Sequence, residues 1–127
     1  MSDEVSPEPF LTLAPGQVWT VHANPPTTLR VLIGKIEQLG ERPVVSVMLL
    51  GARAPEGFGS ETLDIHHAPF DAPSLIAELE DLEAEGVEVP ASFEDGYAQW
   101  KGNNGGVWTL GPAEVAGAVI EMAAKNL

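Results

Sequence analysis

Two runs of apolar residues, 29–37 (LRVLIGKIE) and 44–50 (VVSVMLL), constrain the fold of this chain more than any other feature. Both runs are rich in β-branched residues and carry apolar side chains at odd and even positions alike. This pattern is typical of strands that are covered on both faces. Residues 39–43 (LGERP) join the two runs. The sequence therefore predicts two central strands that form the core of one sheet.

Shorter strands are predicted before and after this central pair. Residues 17–22 (QVWTVH) have strand composition and end in the turn cluster 23–26 (ANPP). Residues 62–67 (TLDIHH) alternate apolar and polar side chains, which indicates a further strand at an edge of the sheet. A brief last strand is predicted at residues 107–110 (VWTL).

The second half of the chain contains three stretches with helical spacing. The first begins at Asp71 or Ser74 and ends near Gly86, a residue type that favours the left-handed end of a helix. A short aromatic helix follows Ser92, and the third helix has Pro112 in its first turn. The order of these elements predicts an α+β fold, with four to five mostly antiparallel strands followed by three helices packed on the sheet.

The length of 127 residues suits one domain. We expect residues 1–12, which contain prolines, to be disordered, and residues 13–127 to form a single α+β domain. The longest apolar runs are far shorter than the roughly 18 to 20 residues that span a bilayer. The first ten residues lack the basic and hydrophobic start of a secretory signal. We therefore expect a cytoplasmic protein without a membrane partner.

Acidic side chains are concentrated in the middle of the chain. The sequence has 19 acidic and 6 basic residues, for a formal net charge of -13, and residues 54–100 contain 12 of the acids and no Lys or Arg. Such a surface repels phosphate, whereas nucleic-acid binding depends on Lys and Arg. The charge therefore predicts no nucleic-acid partner. It leaves three explanations open, namely a basic protein partner, a hard cation, or solubility alone.

Three acids recur at helical spacing within the helix predicted to end near Gly86. Glu78, Asp81 and Glu85 would share one face, where like charges destabilise a helix by about 0.2–0.5 kcal/mol per pair. Since no basic residue nearby offsets them, we expect a non-catalytic binding or regulatory module that docks a basic protein surface. Aromatic residues at helical spacing on the following helix either pack in the core, which is the commoner case, or extend this surface, because Tyr and Trp are enriched at binding hot spots. The predicted contact residues are Glu78, Asp81, Glu85, Glu88, Glu94, Asp95, Tyr97 and Trp100.

Histidine and carboxylate side chains are the metal ligands and general bases that a chain without cysteine offers. Asp64 and His66 lie two residues apart on a predicted strand and so share a face, which makes them the predicted metal ligands. With Asp71 they support the alternative function, a small metal-dependent hydrolase or ligand-binding enzyme. His67 follows the apolar face and is expected to be half-buried with one hydrogen bond. The sequence predicts no cofactor and leaves the oligomeric state open.

Two short segments, 15–19 (PGQVW) and 42–45 (RPVV), resemble the SH3-like barrels of plasmid-type endoribonuclease toxins. The resemblance covers less than half of the chain. Those toxins need basic surfaces to bind RNA, whereas the surface predicted here is acidic, so their activity is not expected of this chain.

Overall fold

Five strands and three helices form the part of the chain that the computed structural model describes, namely residues 13–22, 28–54, 57, 61–103 and 105–124. The predicted disordered segment, residues 1–12, lies outside these residues. The α+β class is confirmed. In chain order the elements are β1 (Val18–Val21), β2 (Arg30–Leu39), β3 (Arg42–Arg53), β4 (Thr62–Asp71), α1 (Ala72–Ile76), β5 (Leu79–Ala84), α2 (Ala91–Gly102) and α3 (Pro112–Ala124).

The strands form one antiparallel sheet in the order β4-β3-β2-β1-β5. The two apolar runs become β2 and β3, which lie inside the sheet as predicted. They are joined by a tight turn in which Leu39 pairs with Arg42, and Gly40 adopts a φ of +63°, a value that favours glycine. The end strands β4 and β5 do not pair with each other in the described residues. The sheet is therefore open, unlike the barrels that the two short segments resemble.

Apolar side chains cover both faces of the sheet, because neighbouring residues on a strand point to opposite faces. One face packs against α1 and α3, and its largest buried residues are Val31, Ile33, Val45, Val47, Leu49, Phe70, Leu75 and Val115. The other face packs against α2, and its buried cluster is Val18, Leu32, Met48 and Phe93. The two-sided apolar pattern of β2 and β3 thus follows from burial on both faces.

Helix α2 approaches β2 closely because Gly34 has no side chain. A Cβ atom added at Gly34 would lie 2.3 Å from Cζ of Phe93, whose side chain is fully buried. A second close approach occurs at Gly96, where an added Cβ would lie 2.8 Å from Cβ of His67. These two glycines set the position of α2 over the sheet.

The helix predicted to run from Asp71 or Ser74 to about Glu85 begins after Asp71, which is its N-terminal cap residue, but the predicted length is wrong. A short helix ends at Ile76, and the chain then forms β5, which pairs with β1 through Trp19 and Leu82. Leu75, Leu79 and Leu82 fit the spacing of one helical face, but Leu82 is 41% exposed and lies on β5.

Two physical effects explain the change from helix to strand. The like charges of Glu78, Asp81 and Glu85 would lie close together on one helical face, whereas an extended strand rises about 3.3 Å per residue and so spaces these charges more widely. Pairing with β1 also satisfies backbone groups that β1 would otherwise leave exposed at the sheet edge. The predicted face that groups these three acids therefore does not form.

Smaller differences occur at the other elements. Residues 107–110 do not form a strand, and only Trp108 makes a single parallel bridge, to Phe70. Helix α2 begins after Pro90, without a side-chain hydrogen bond at its N-terminal cap, rather than at Ser92. Helix α3 begins at Pro112, as predicted. Among the described residues, no helix combines the length and apolar character needed to cross a membrane.

Candidate functional site

Strand β5 lies at one end of the sheet and carries exposed carboxylates on both of its sides. Its only strand neighbour in the described part of the chain is β1. Three acids on β5 and two in the segment after it are exposed. We call this set the acidic edge: Glu80, Asp81, Glu83, Glu85 and Glu88. Because β5 is an end strand, these acids lie along one border of the sheet.

Two residues of the acidic edge have basic partners within the protein. Nε of Arg30 donates to both carboxylate oxygens of Glu83, at 3.0 and 3.1 Å, and Nδ1 of His22 lies 3.5 Å from Oε2 of Glu80. These contacts hold β5 beside β1 and β2.

The other three acids of the edge are open to a partner. The backbone N–H of Asp81 donates a hydrogen bond to Oγ1 of Thr20 on β1 at 2.9 Å. The carboxylates of Asp81, Glu85 and Glu88 have no Lys, Arg or His within ion-pair distance among the described residues. Within the described part of the chain, the acidic edge therefore retains three exposed charges without a neutralising contact.

The predicted contact residues are divided between two places in the fold. Asp81, Glu85 and Glu88 belong to the acidic edge, whereas Glu78 precedes β5 and is half-buried, with its side chain against Gly111. The remaining four lie on α2, which packs on β4 and β3 at the other side of the sheet. Of these, Glu94 and Asp95 are exposed, and Tyr97 and Trp100 are half-buried.

A polar network joins α2 to β2. The hydroxyl of Tyr97 donates to Oε2 of Glu37 at 2.6 Å, and Nζ of Lys101 lies 3.2 Å from Oε1 of the same carboxylate. Nζ of Lys35 lies 5.0 Å from the centre of the Tyr97 ring, within the range of a cation–π contact. The network anchors the C-terminal half of α2.

The network changes the ionisation of its members. Burial by itself would raise the pKa of Glu37, but the hydrogen bonds from Tyr97 and Lys101 favour the carboxylate and lower the pKa below its usual value. Burial and the hydrogen bond to Glu37 raise the pKa of Tyr97 to about 12. Glu37 is therefore held as the charged form and Tyr97 as the neutral form.

His67 on β4 is half-buried with one hydrogen bond, as the sequence predicts. Its Nε2 atom lies 3.1 Å from Oγ of Ser46, and burial lowers the pKa of the imidazole despite the opposing effect of Glu37. A serine beside a neutral histidine is also the arrangement of an activated nucleophile. Ser46 is only 1% exposed, however, so its hydroxyl is closed to a substrate. The pair therefore serves packing in the described fold.

A cleft of about 400 Å³ opens beside His67, between β4, α2 and the loop after α2. We call it the tryptophan cleft, and its lining residues are His67, Pro69, Trp100, Gly106, Val107 and Trp108. The indole N–H of Trp100 donates to the Gly106 carbonyl oxygen at 2.9 Å. The backbone N–H of Trp108 donates to the Pro69 carbonyl oxygen at 2.9 Å. The sequence predicts Trp100 as a contact residue of a protein partner but does not predict a site at Trp108. The position of Trp108 just after the glycine-rich residues 102–106 is the one local feature that marks it.

The predicted metal ligands Asp64 and His66 are both exposed on β4. Oδ1 of Asp64 accepts a hydrogen bond from the Gly51 N–H at 2.9 Å. Asp71 lies at the end of the strand, with Oδ1 3.7 Å from Nε of Arg42. No group of three or more metal-binding side chains gathers anywhere in the described ranges. Asp64 and His66 thus stay a predicted pair without a third ligand from the described chain.

Comparison with protein-family models, with curated proteins and with solved structures gives no match to this chain.

Proposed function

We propose that this protein is a non-catalytic binding module that docks a basic protein surface through its acidic edge. The observation that carries the proposal is the position of the charges. They lie on and just after an edge strand, and Asp81, Glu85 and Glu88 are exposed without a basic partner in the described residues.

The location of the charge favours a partner of opposite sign over a second copy of the chain. An edge strand presents unpaired backbone groups that can pair with another strand, and charged side chains prevent such pairing between identical edges. Two acidic edges would repel each other. A basic protein surface would instead be attracted, and long-range attraction of this kind raises the rate of association.

Neutralising the open carboxylates tests the proposal. The edge variant changes Asp81→Asn, Glu85→Gln and Glu88→Gln together. The control changes Glu41→Gln, Glu61→Gln and Glu121→Gln, which are exposed positions elsewhere in the chain and alter the net charge by the same amount. Because both variants carry the same total charge, any difference between them reports position rather than net charge.

The binding probe is a fluorescent ten-residue peptide of alternating Lys and Val, followed by anisotropy at 20 and 200 mM NaCl. We expect the edge variant to bind about tenfold more weakly than the control, since three charge contacts of about 0.5 kcal/mol each sum to this factor. Binding of the unmodified protein should weaken at the higher salt concentration. Equal binding by the two variants would refute docking at the acidic edge.

A further inference from the structure

The tryptophan cleft has the size and lining of a small-molecule site. Its volume of about 400 Å³ falls within the range of roughly 300–1,000 Å³ that is common for such sites. Trp100 and Trp108 are both half-buried and contribute indole surface to the lining. Two aromatic walls of this kind offer stacking surfaces to a flat ring.

The ring of Trp100 is held in place before any ligand binds. Its indole N–H is bonded to the Gly106 carbonyl oxygen, and the neighbouring Gly105 leaves room for the ring. A Cβ atom added at Gly105 would lie 2.1 Å from Cδ1 of Trp100. A fixed ring loses little freedom on binding, which reduces the entropic cost of stacking a ligand on it.

Trp108 is fixed in a different way. Its backbone pairs with the edge of β4, where its carbonyl oxygen accepts a hydrogen bond from the Asp71 N–H at 2.9 Å. The indole N–H of Trp108 has no acceptor among the described residues. His67, which uses Nε2 for Ser46, retains Nδ1 as its second hydrogen-bonding atom. The side chains that line the cleft thus include an indole donor and a ring nitrogen that have no hydrogen-bond partner among the described residues.

Charge narrows the class of ligand. None of the described residues that line the cleft is a Lys or Arg, and Lys101 beside it is paired with Glu37. The protein as a whole carries a formal net charge of -13. An anionic ligand would meet repulsion without a compensating cation.

We propose that the tryptophan cleft binds a small ligand that has a flat aromatic ring and no negative charge. The ring stacks on the indole of Trp100, and a polar atom of the ligand engages the Trp108 N–H or Nδ1 of His67. This site is separate from the acidic edge, and it can fail or hold independently of the proposed function.

Three indole compounds test whether the cleft binds a flat aromatic ring and whether it excludes a negatively charged ligand. Tryptophol is neutral, tryptamine is cationic and indole-3-acetate is anionic, while all three carry the same ring. The readout is the set of indole N–H signals in a ¹H–¹⁵N NMR spectrum, because the chain has three tryptophans. Trp19 is the internal control, since its N–H is bonded to Gln17 at 3.0 Å on β1.

We expect tryptophol and tryptamine to shift the signals of Trp100 and Trp108 and to leave that of Trp19 unchanged. Dissociation constants on the order of 0.1–1 mM suit fragments of this size. Indole-3-acetate should bind at least about fivefold more weakly. The proposal is overturned if none of the three compounds shifts the two signals, if Trp19 responds equally, or if indole-3-acetate binds most tightly.

Two matched glycine variants separate the cleft from general effects on α2. Gly105→Ala displaces the Trp100 ring, whereas at Gly102 an added Cβ meets nothing within 4 Å. We expect Gly105→Ala to weaken tryptophol binding at least about fivefold and Gly102→Ala to change it by less than about twofold. Trp100→Leu provides a second variant if Gly105→Ala does not fold. Unchanged binding in Trp100→Leu would contradict stacking at this site.

Discussion

Substituting Gly34 by alanine tests the packing of α2 on the sheet. The new methyl group would lie between 2.3 and 2.6 Å from three ring carbons of Phe93. Those atoms are at the far end of the side chain, but Phe93 is fully buried, so the ring cannot move aside without displacing its neighbours. The substitution therefore overpacks the core between β2 and α2.

The expected loss of stability follows from two opposing effects. Overpacking of this kind lowers the free energy of unfolding by about 1–3 kcal/mol. Replacing glycine also restricts the unfolded chain, which raises the free energy of unfolding by about 0.4–1 kcal/mol. We expect Gly34→Ala to lower the free energy of unfolding by about 1–2 kcal/mol. Urea unfolding followed by circular dichroism measures this quantity.

A control and a second substitution make the result specific. Gly117→Ala places a methyl group on the exposed side of α3, where nothing lies within 4 Å, and should stabilise the protein by about 0.5–1 kcal/mol. In a Phe93→Leu background the cost of Gly34→Ala should fall, since the two sites are in contact. If Gly34→Ala were as stabilising as Gly117→Ala, the described position of α2 would be wrong.

Two further predictions concern the contacts that α2 makes with the sheet. The chain has one tyrosine, so an ultraviolet absorbance titration of the folded protein reports Tyr97 alone. We expect this titration to give a pKa of about 12 for Tyr97. The substitution Glu37→Gln should lower the pKa of Tyr97 toward the ordinary value of 10.0. Because the pKa of Tyr97 is higher in the folded than in the unfolded protein, the stability that Tyr97 contributes is complete below pH 10 and should be lost as the pH rises to about 12. A pKa of 10 for Tyr97 in the folded protein would contradict the hydrogen bond to Glu37. Gly96→Ala should destabilise the folded protein by about 1–2 kcal/mol, because the new methyl group would lie 2.8 Å from Cβ of His67. Thermal unfolding measures this loss, and a gain in stability would rule out the close contact.

Much of the sheet could be predicted from the sequence because its strands carry a strong local signal. The runs 29–37 and 44–50 carry apolar and β-branched side chains at odd and even positions, and this pattern is typical of strands buried on both sides. The alternation at 62–67 and the proline at position 112 are also local features. Each element of this kind was located without knowing its partners.

Strand β5 could not be predicted in the same way. The leucines at 75, 79 and 82 fit helical spacing, and nothing within the segment shows that Leu82 pairs with Trp19. That pairing joins residues more than 60 positions apart, so its stabilisation is invisible to a local pattern. The exposure of Asp81, Glu85 and Glu88 was predictable from charge, whereas their arrangement along a sheet edge required β5.

The tryptophan cleft depends even more on long-range contacts. Trp100 comes from a helix, Trp108 from an irregular segment and His67 from a strand. Their sequence positions are separated by up to about 40 residues, and no spacing rule joins them. The half-buried state of His67 was predicted, but its place in the wall of a cleft followed only from the packing of α2.

A residue-resolved NMR titration with the Lys-Val peptide tests the docking proposal most directly. We expect the shift changes to concentrate in residues 79–88, with smaller effects in β1, and the signals of α2 and of the Trp100 indole to stay unchanged. Changes that cluster on α2, or that spread evenly over exposed acids such as Glu41 and Glu121, would contradict docking at the acidic edge.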